Sequence, residues 1–132
     1  MTAQTADRNT PRRENLDFEY AVGAGSKIFA GAIVMRNATG YAVKGATATG
    51  QVALGVAQEL ADNTAGADGA IKVKVRRGLH RFANDGTITI ADIGATAYIV
   101  DDQTVADNNG AATRSAAGTI RDVDATGVWV EF

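Results

Sequence analysis

Two Gly-Ala steps set 63 residues apart constrain this chain more than any other feature. Gly31-Ala32 recurs as Gly94-Ala95 and Gly55 recurs as Gly118, both at the offset of 63. A strand-forming stretch follows each Gly-Ala step, Ile33 to Met35 in one copy and Thr96 to Tyr98 in the other. Farther along the offset becomes 57, matching Ile71 and Val73 to Val128 and Val130, so the second copy has a loop shorter by 6 residues. Gln51 to Val75 reads as an apolar strand, a Gly/Ala/Asp loop and a strand that alternates apolar with basic residues. Ala116 to Phe132 repeats that layout. Two copies are too few for a solenoid or propeller. They suit a small barrel or sandwich of two related halves sharing a core.

The local patterns are those of strands. Leu16, Phe18, Tyr20 and Val22 alternate with polar or small neighbours, and Ile71, Val73 and Val75 alternate with Lys72, Lys74 and Arg76. Period-2 alternation marks a half-buried strand. Asn37 to Gly40 (NATG) predicts a hairpin turn, Ile88 and Ile90 a short strand, and Ala91 to Gly94 one helical turn at most. No stretch keeps a 3.6-residue apolar period. The expected fold is therefore all-β: a compact β-barrel or β-sandwich with very little helix. Residues 1–15 form an extended N-terminal arm and 16–132 a single β domain, its halves covering roughly 28–82 and 88–132.

Composition closes off several functions. The chain has no cysteine, hence no disulfide, thiol nucleophile or thiolate metal site. Its N-terminal segment lacks the apolar core of a signal peptide, and no run approaches the ~18 apolar residues of a membrane span. A soluble chain without a membrane partner is expected. The net charge of -2 argues against a general nucleic-acid binder, yet residues 1–81 carry net +4 and residues 82–132 net -6. That asymmetry fits head-to-tail contact with copies of the chain or with another shell, and equally fits scattered surface charge.

Residues that bear chemistry are sparse. The one histidine, His80, stands beside Arg81 and near Arg76 and Arg77, with no orienting partner or second ligand in sequence. Asp101-Asp102 lie in a turn sequence. Asp122 and Asp124 share a face if extended but lack the fixed glycine and distant Glu of a Ca²⁺ loop. Gly23 to Lys27 (GAGSK) lacks the spacing and the helix of a phosphate loop. No catalytic, metal or cofactor-binding residue is predicted, and no enzyme. Lys72 to Arg81 (KVKVRRGLHR) is the one strongly charged stretch. It reads as a solvated strand guarded against edge pairing, as a protein-docking strand, or, less well for want of neighbouring aromatics, as a nucleic-acid footprint.

The order of the segments carries a resemblance. An alternating N-terminal strand, GAIVMRN, ALGVA, GAIKVKVRRGLHRF, IGATAYIVDD and a closing AAGTIRDVDATGVWVEF together resemble the capsid cement, or head decoration, proteins of tailed bacteriophages, over residues 16–132. The resemblance implies a non-enzymatic virion protein without cofactors, made in the host cytoplasm. It would bind the outer surface of an icosahedral head and bridge subunits of the major capsid protein, often as a dimer or trimer, with its arm laid on the shell. On that footing Arg12, Arg13, Leu16 and Phe18 are expected to contact capsid or a neighbouring copy. Lys72, Lys74, Arg76 and Arg77 would meet acidic capsid surface. Trp129, facing away from Val128 and Val130, would be a rim residue or an interface anchor, and its repeat counterpart is expected at Lys72. Two alternatives stand beside this reading: a phage tail or receptor- or carbohydrate-binding β module, which would normally show an aromatic cluster, and a small nucleic-acid-binding β-barrel using the basic strand.

Overall fold

The structure is a computed structural model that describes residues 2–132. Its strands fall into two five-stranded units, and the described residues contain a single 3-10 turn at Ile90–Asp92 and no α-helix. The first unit holds β1 (Asp17–Ala21), β3 (Ile33–Arg36), β4 (Ala42–Lys44), β5 (Val52–Ala57) and β7 (Lys72–Arg76), in the order β1-β7-β5-β3-β4. A parallel bridge between Val22 and Ala42 brings its two outer strands together. The second unit is a closed barrel of β8 (Leu79–Asn84), β9 (Thr96–Ile99), β10 (Thr104–Ala106), β11 (Ala116–Asp124) and β12 (Gly127–Glu131), in the order β10-β8-β12-β11-β9. A two-stranded ribbon, β2 (Lys27–Ile28) with β6 (Ala61–Asp62), completes the set.

The ring β4-β1-β7-β5-β3 matches β10-β8-β12-β11-β9 strand for strand. Directions match as well. The parallel contact of β8 with β10 corresponds to the Val22–Ala42 bridge, and the remaining neighbours are antiparallel in both units. The paired Gly-Ala steps make the same hydrogen bonds. Gly31 N–H donates to Ala57 O and Gly94 N–H to Ile120 O, each at 2.8 Å, and the return bonds to Ala32 O and Ala95 O are 2.9 Å. Each unit has a β-bulge where the strand after its Gly-Ala step meets its neighbour, β3 with β5 and β9 with β11, leaving Leu54 unpaired in β5 and Ala117 in β11, and β11 has a second bulge against β12 at Arg121. The following glycine, Gly55 or Gly118, lets the next strand pass close by. A side chain on Gly55 would stand 2.5 Å from Arg76 O, and one on Gly118 would overlap Glu131 O.

Three sequence expectations change. Residues 79–82, grouped above with the first half, pair with β12 and belong to β8, which opens the second unit, while Asp17–Ala21 opens the first. Val56 faces Arg76 as Thr119 faces Glu131, so the closing strands are offset by 55 and not 57, and Lys74, not Lys72, is the counterpart of Trp129. Ile88 and Ile90 form no strand. Ile88 is buried in a loop, clamped by Asn84, whose side chain donates to Ile88 O at 2.8 Å and accepts from its N–H at 3.2 Å. Ile90 sits in the 3-10 turn, which is capped by Thr89 and Asp92.

Alternation fills the two interiors. Val22, Val34, Ala42, Val73 and Val75 pack inside the first unit, and Ile99, Val105, Ile120, Val128 and Val130 inside the second. Ile33, Met35 and Val56 point away from the first interior and join the second cluster, which makes an apolar seam between the units. Polar stitches border the seam. Ile33 N–H donates to Asp102 O (2.8 Å), Thr47 Oγ1 to Val100 O (2.8 Å), and the buried Ser115 hydroxyl donates to Ala48 O (2.7 Å) and accepts from Gln51 N–H (3.1 Å). At the equivalent outward positions of the second unit stand Thr96, Tyr98 and Thr119, none of them buried.

One loop is strained. Gly110, Ala111 and Ala112 lie consecutively in the left-handed region, with φ of 61°, 57° and 66°. Asn109 O accepts from both Thr113 and Arg114 N–H at 3.0 Å and holds this turn. A left-handed alanine costs ~1 kcal/mol that glycine avoids, less glycine's extra freedom in the unfolded chain. Ala111→Gly and Ala112→Gly are therefore each expected to raise stability by a few tenths to about 1 kcal/mol in urea unfolding. A loss of stability from both would contradict the strained turn.

Candidate contact surface

The residues singled out in the sequence gather mainly on the outer face of β1 and β7. Antiparallel register sets Asp17 opposite Arg76, Glu19 opposite Lys74 and Ala21 opposite Lys72, all on the face away from Val73 and Val75. Arg76 grips Asp17 with two hydrogen bonds, Nε to Oδ1 at 2.7 Å and Nη2 to Oδ2 at 3.1 Å. Those bonds hold the Asp17 carboxyl below its ordinary 3.8 and push the Arg76 guanidinium up. Both side chains are largely exposed, so the pair adds little stability. Its consequence is for charge, because it removes Arg76 as a free cation. Acids at every second residue of DFEYA and bases at every second residue of KVKVR suit facing strands, and the register decides which pair meets.

The arm meets this face at its inner end. Residues 2–14 have no regular structure and are exposed. Arg13 lies over the Phe18 ring at 5.1 Å from its centroid, while Arg12 lies 3.9 Å from Glu14 in a solvent-exposed pair. Phe18 is opposite Val75, stacks with Tyr20 at 6.0 Å and is half-buried. Leu16 is 46% exposed, and its carbonyl accepts from Arg77 N–H at 2.8 Å. Arg13, Phe18, Gln58, Lys72, Lys74 and Arg76, with Asp17 and Glu19, line a groove of about 590 Å³. Arg77 is directed elsewhere. Its guanidinium donates to Asn15 at 3.2 Å, and it borders a separate hollow with Leu16 and Phe132.

Trp129 stands apart from that groove, on the second unit. It is half-buried on the outer face of β12, between Asp122 and Arg81. Its Nε1–H donates to Asp124 at 3.3 Å, and the Arg81 guanidinium lies 6.0 Å from its ring centroid. Asp124 also accepts from the Thr126 hydroxyl, from Thr126 N–H (2.7 Å) and from Gly127 N–H (3.1 Å). The Thr126 bonds foremost hold its carboxyl below 3.8. A depressed folded value means that the carboxylate supports the turn above pH 3.8 and loses that role as pH falls through the lower folded value. The emission of Trp129, the chain's single tryptophan, is expected to shift on acidification below pH 3.8, and Asp124→Asn to abolish the shift. An unchanged acid shift in that variant would remove Asp124 as the cause.

The remaining candidates are local. His80 Nε2 is 3.3 Å from Arg77 O, and its ring lies 6.3 Å from that of Phe132. Asp101 accepts from Gln103 N–H in its own turn at 2.9 Å. Among the described residues no three His, Cys, Asp or Glu side chains are arranged to hold a metal ion, and no helix is long and apolar enough to cross a membrane. Comparison with known protein families, curated proteins and solved structures finds no match.

Proposed function

We propose that this chain is a capsid cement protein, bound to the outer surface of an icosahedral phage head and bridging neighbouring subunits of the major capsid protein. The observation that supports it most is an exposed arm running from the mixed-charge groove of a body whose two units share one apolar seam. A firm body with a separate extended segment can touch two subunits at once, and linked weak contacts raise avidity without a strong single site. The segment order over residues 16–132, which resembles such proteins, supports the same reading. Arg12 and Arg13 of the arm, with Leu16 and Phe18 at its root, reach capsid or a neighbouring copy. Lys72 and Lys74 face acidic capsid surface, and Trp129 belongs to a second contact, on a dimer or trimer partner.

The test is direct. Mixed with expanded, undecorated heads of the phage that encodes it, the protein is expected to co-sediment with them. Absence of binding at both low and moderate salt would overturn the reading. Deleting residues 2–15 is expected to lower occupancy, and unchanged occupancy would remove the arm from the mechanism.

A further inference from the structure

The duplication supplies an internal control for the basic strand. In the matched ladders Lys72, Lys74 and Arg76 correspond to Gly127, Trp129 and Glu131, while Val73 and Val75 correspond to Val128 and Val130. Both strands hold the same place in their units, β7 between β1 and β5 and β12 between β8 and β11, with the same buried valines. The fold therefore requires the valines and leaves free the outward positions of Lys74 and Arg76 against Trp129 and Glu131, but not that of Lys72, since a side chain on its counterpart Gly127 would overlap Phe82 O. Two cations at the free positions of one copy and none at those of the other are a property of the surface, not of the fold.

The cations of β7 differ in how far they are satisfied. Arg76 is neutralised by Asp17. Lys72 has Ala21 as its cross-strand partner, and Lys74, though opposite Glu19, has no carboxylate oxygen within 4.0 Å among the described residues. Two ammonium groups on one face of a strand, two residues apart, stand about 7 Å from one another. Arg13 is held at the rim over Phe18, and Gln58, whose N–H donates to Lys74 O at 2.9 Å, borders the groove nearby.

We propose that the outer face of β1 and β7 is a docking groove for an extended acidic protein segment whose carboxylates stand two residues apart. Such a segment repeats its side chains on one face every 6.6 to 6.8 Å or so, which matches the Lys72–Lys74 spacing. Charge-assisted contacts to both lysines then form together, with Arg13 free to take a third. Asp17 and Glu19 in the same groove disfavour a continuous polyanion such as a nucleic-acid strand, whose phosphates would face them. This deepens the cement reading by giving the chemistry of the segment that is met, and rests on that reading only for the segment's owner.

The experiment titrates the isotope-labelled full chain with a short synthetic peptide alternating glutamate and threonine, at about 20 mM salt, where charges act over roughly 20 Å. Amide shifts are expected along β1 and β7, at Gln58 and around Arg13. Lys72→Gln/Lys74→Gln, on exposed positions that leave the fold intact, is expected to weaken binding about tenfold, since two charge-assisted contacts are lost. No shifts up to millimolar peptide, shifts elsewhere, or equal affinity for a peptide of the same composition with its glutamates in one block would each overturn the groove. So would tighter binding of a single-stranded oligonucleotide. Heads separate the two proposals. Peptide binding without head binding upholds the groove and sinks the cement reading. Head binding that the double variant leaves unchanged upholds the cement reading and shows that the capsid does not own the groove's segment.

Discussion

Ile33→Asp is expected to unfold both five-stranded units together. Ile33 belongs to the first unit by its backbone and to the second by its side chain, which is fully buried in the cluster with Ile99, Ile120 and Val130. An aspartate there would lose a buried isoleucine and place a carboxylate among apolar side chains with no counter-ion. The combined cost is about 5 kcal/mol or more, a large part of the 5–15 kcal/mol that a domain has in total. Because the seam is shared, the loss reaches Trp129 in the second unit as well as Tyr20 and Tyr41 in the first. Fluorescence and far-ultraviolet circular dichroism should report one coincident transition at low denaturant. A variant whose second unit melts as in the parent would show that the two units are independent. Leu60→Asp, at a side chain already 55% exposed, provides the surface control and is expected to change stability by less than about 0.5 kcal/mol.

Gly118→Ala carries the second large effect. Its new methyl would overlap Glu131 O and crowd Val130 Cγ1 at 3.1 Å, so β11 and β12 must separate just where the barrel closes. Backbone cannot swing aside as a side-chain tip can, and a loss of about 3 kcal/mol is expected. Gly55→Ala should cost at least as much, because its φ of 141° adds backbone strain to the approach of Arg76 O. Urea midpoints of the two variants check the equivalence of the units. A cost below about 1 kcal/mol at Gly118 would mean that the bulge relaxes and that the close approach is not needed for closure.

Much of this architecture was legible. Alternation in KVKVR and LDFEYAV, the NATG hairpin and the Gly-Ala steps all correspond to strands and turns in the structure. The second offset, 57 by hydrophobic pattern and 55 in the strand ladders, differs for a physical reason. Side chains on a strand repeat every two residues, so a slip of two keeps every valine on its proper face, and a hydrophobic pattern cannot tell 57 from 55. What fixes the register is the bare approach of Gly118 to Glu131 O and of Gly55 to Arg76 O, a contact with no side-chain signature.

The unit boundary was hidden differently. Phe18 and Tyr20 correspond to His80 and Phe82, a match of character too loose to see beside Gly-Ala repeats, and the joint between units is only Arg77-Gly78. The division gives charge a clearer meaning. Residues 1–77 hold ten Lys/Arg against seven Asp/Glu, net +3, and residues 78–132 three against eight, net -5. On the contact surface, the cations of β7 could be named in advance. That Arg76 is spent on Asp17 while Lys72 and Lys74 are not depends on cross-strand register, which the sequence does not print.

If this chain ties capsid subunits together as proposed, the temperature at which heads come apart measures it most directly. Calorimetry of expanded heads, bare and saturated with the protein, is predicted to show a higher disruption temperature for the decorated particles, with the gain saturating at a fixed number of copies per head. An unchanged disruption temperature at full occupancy would contradict it.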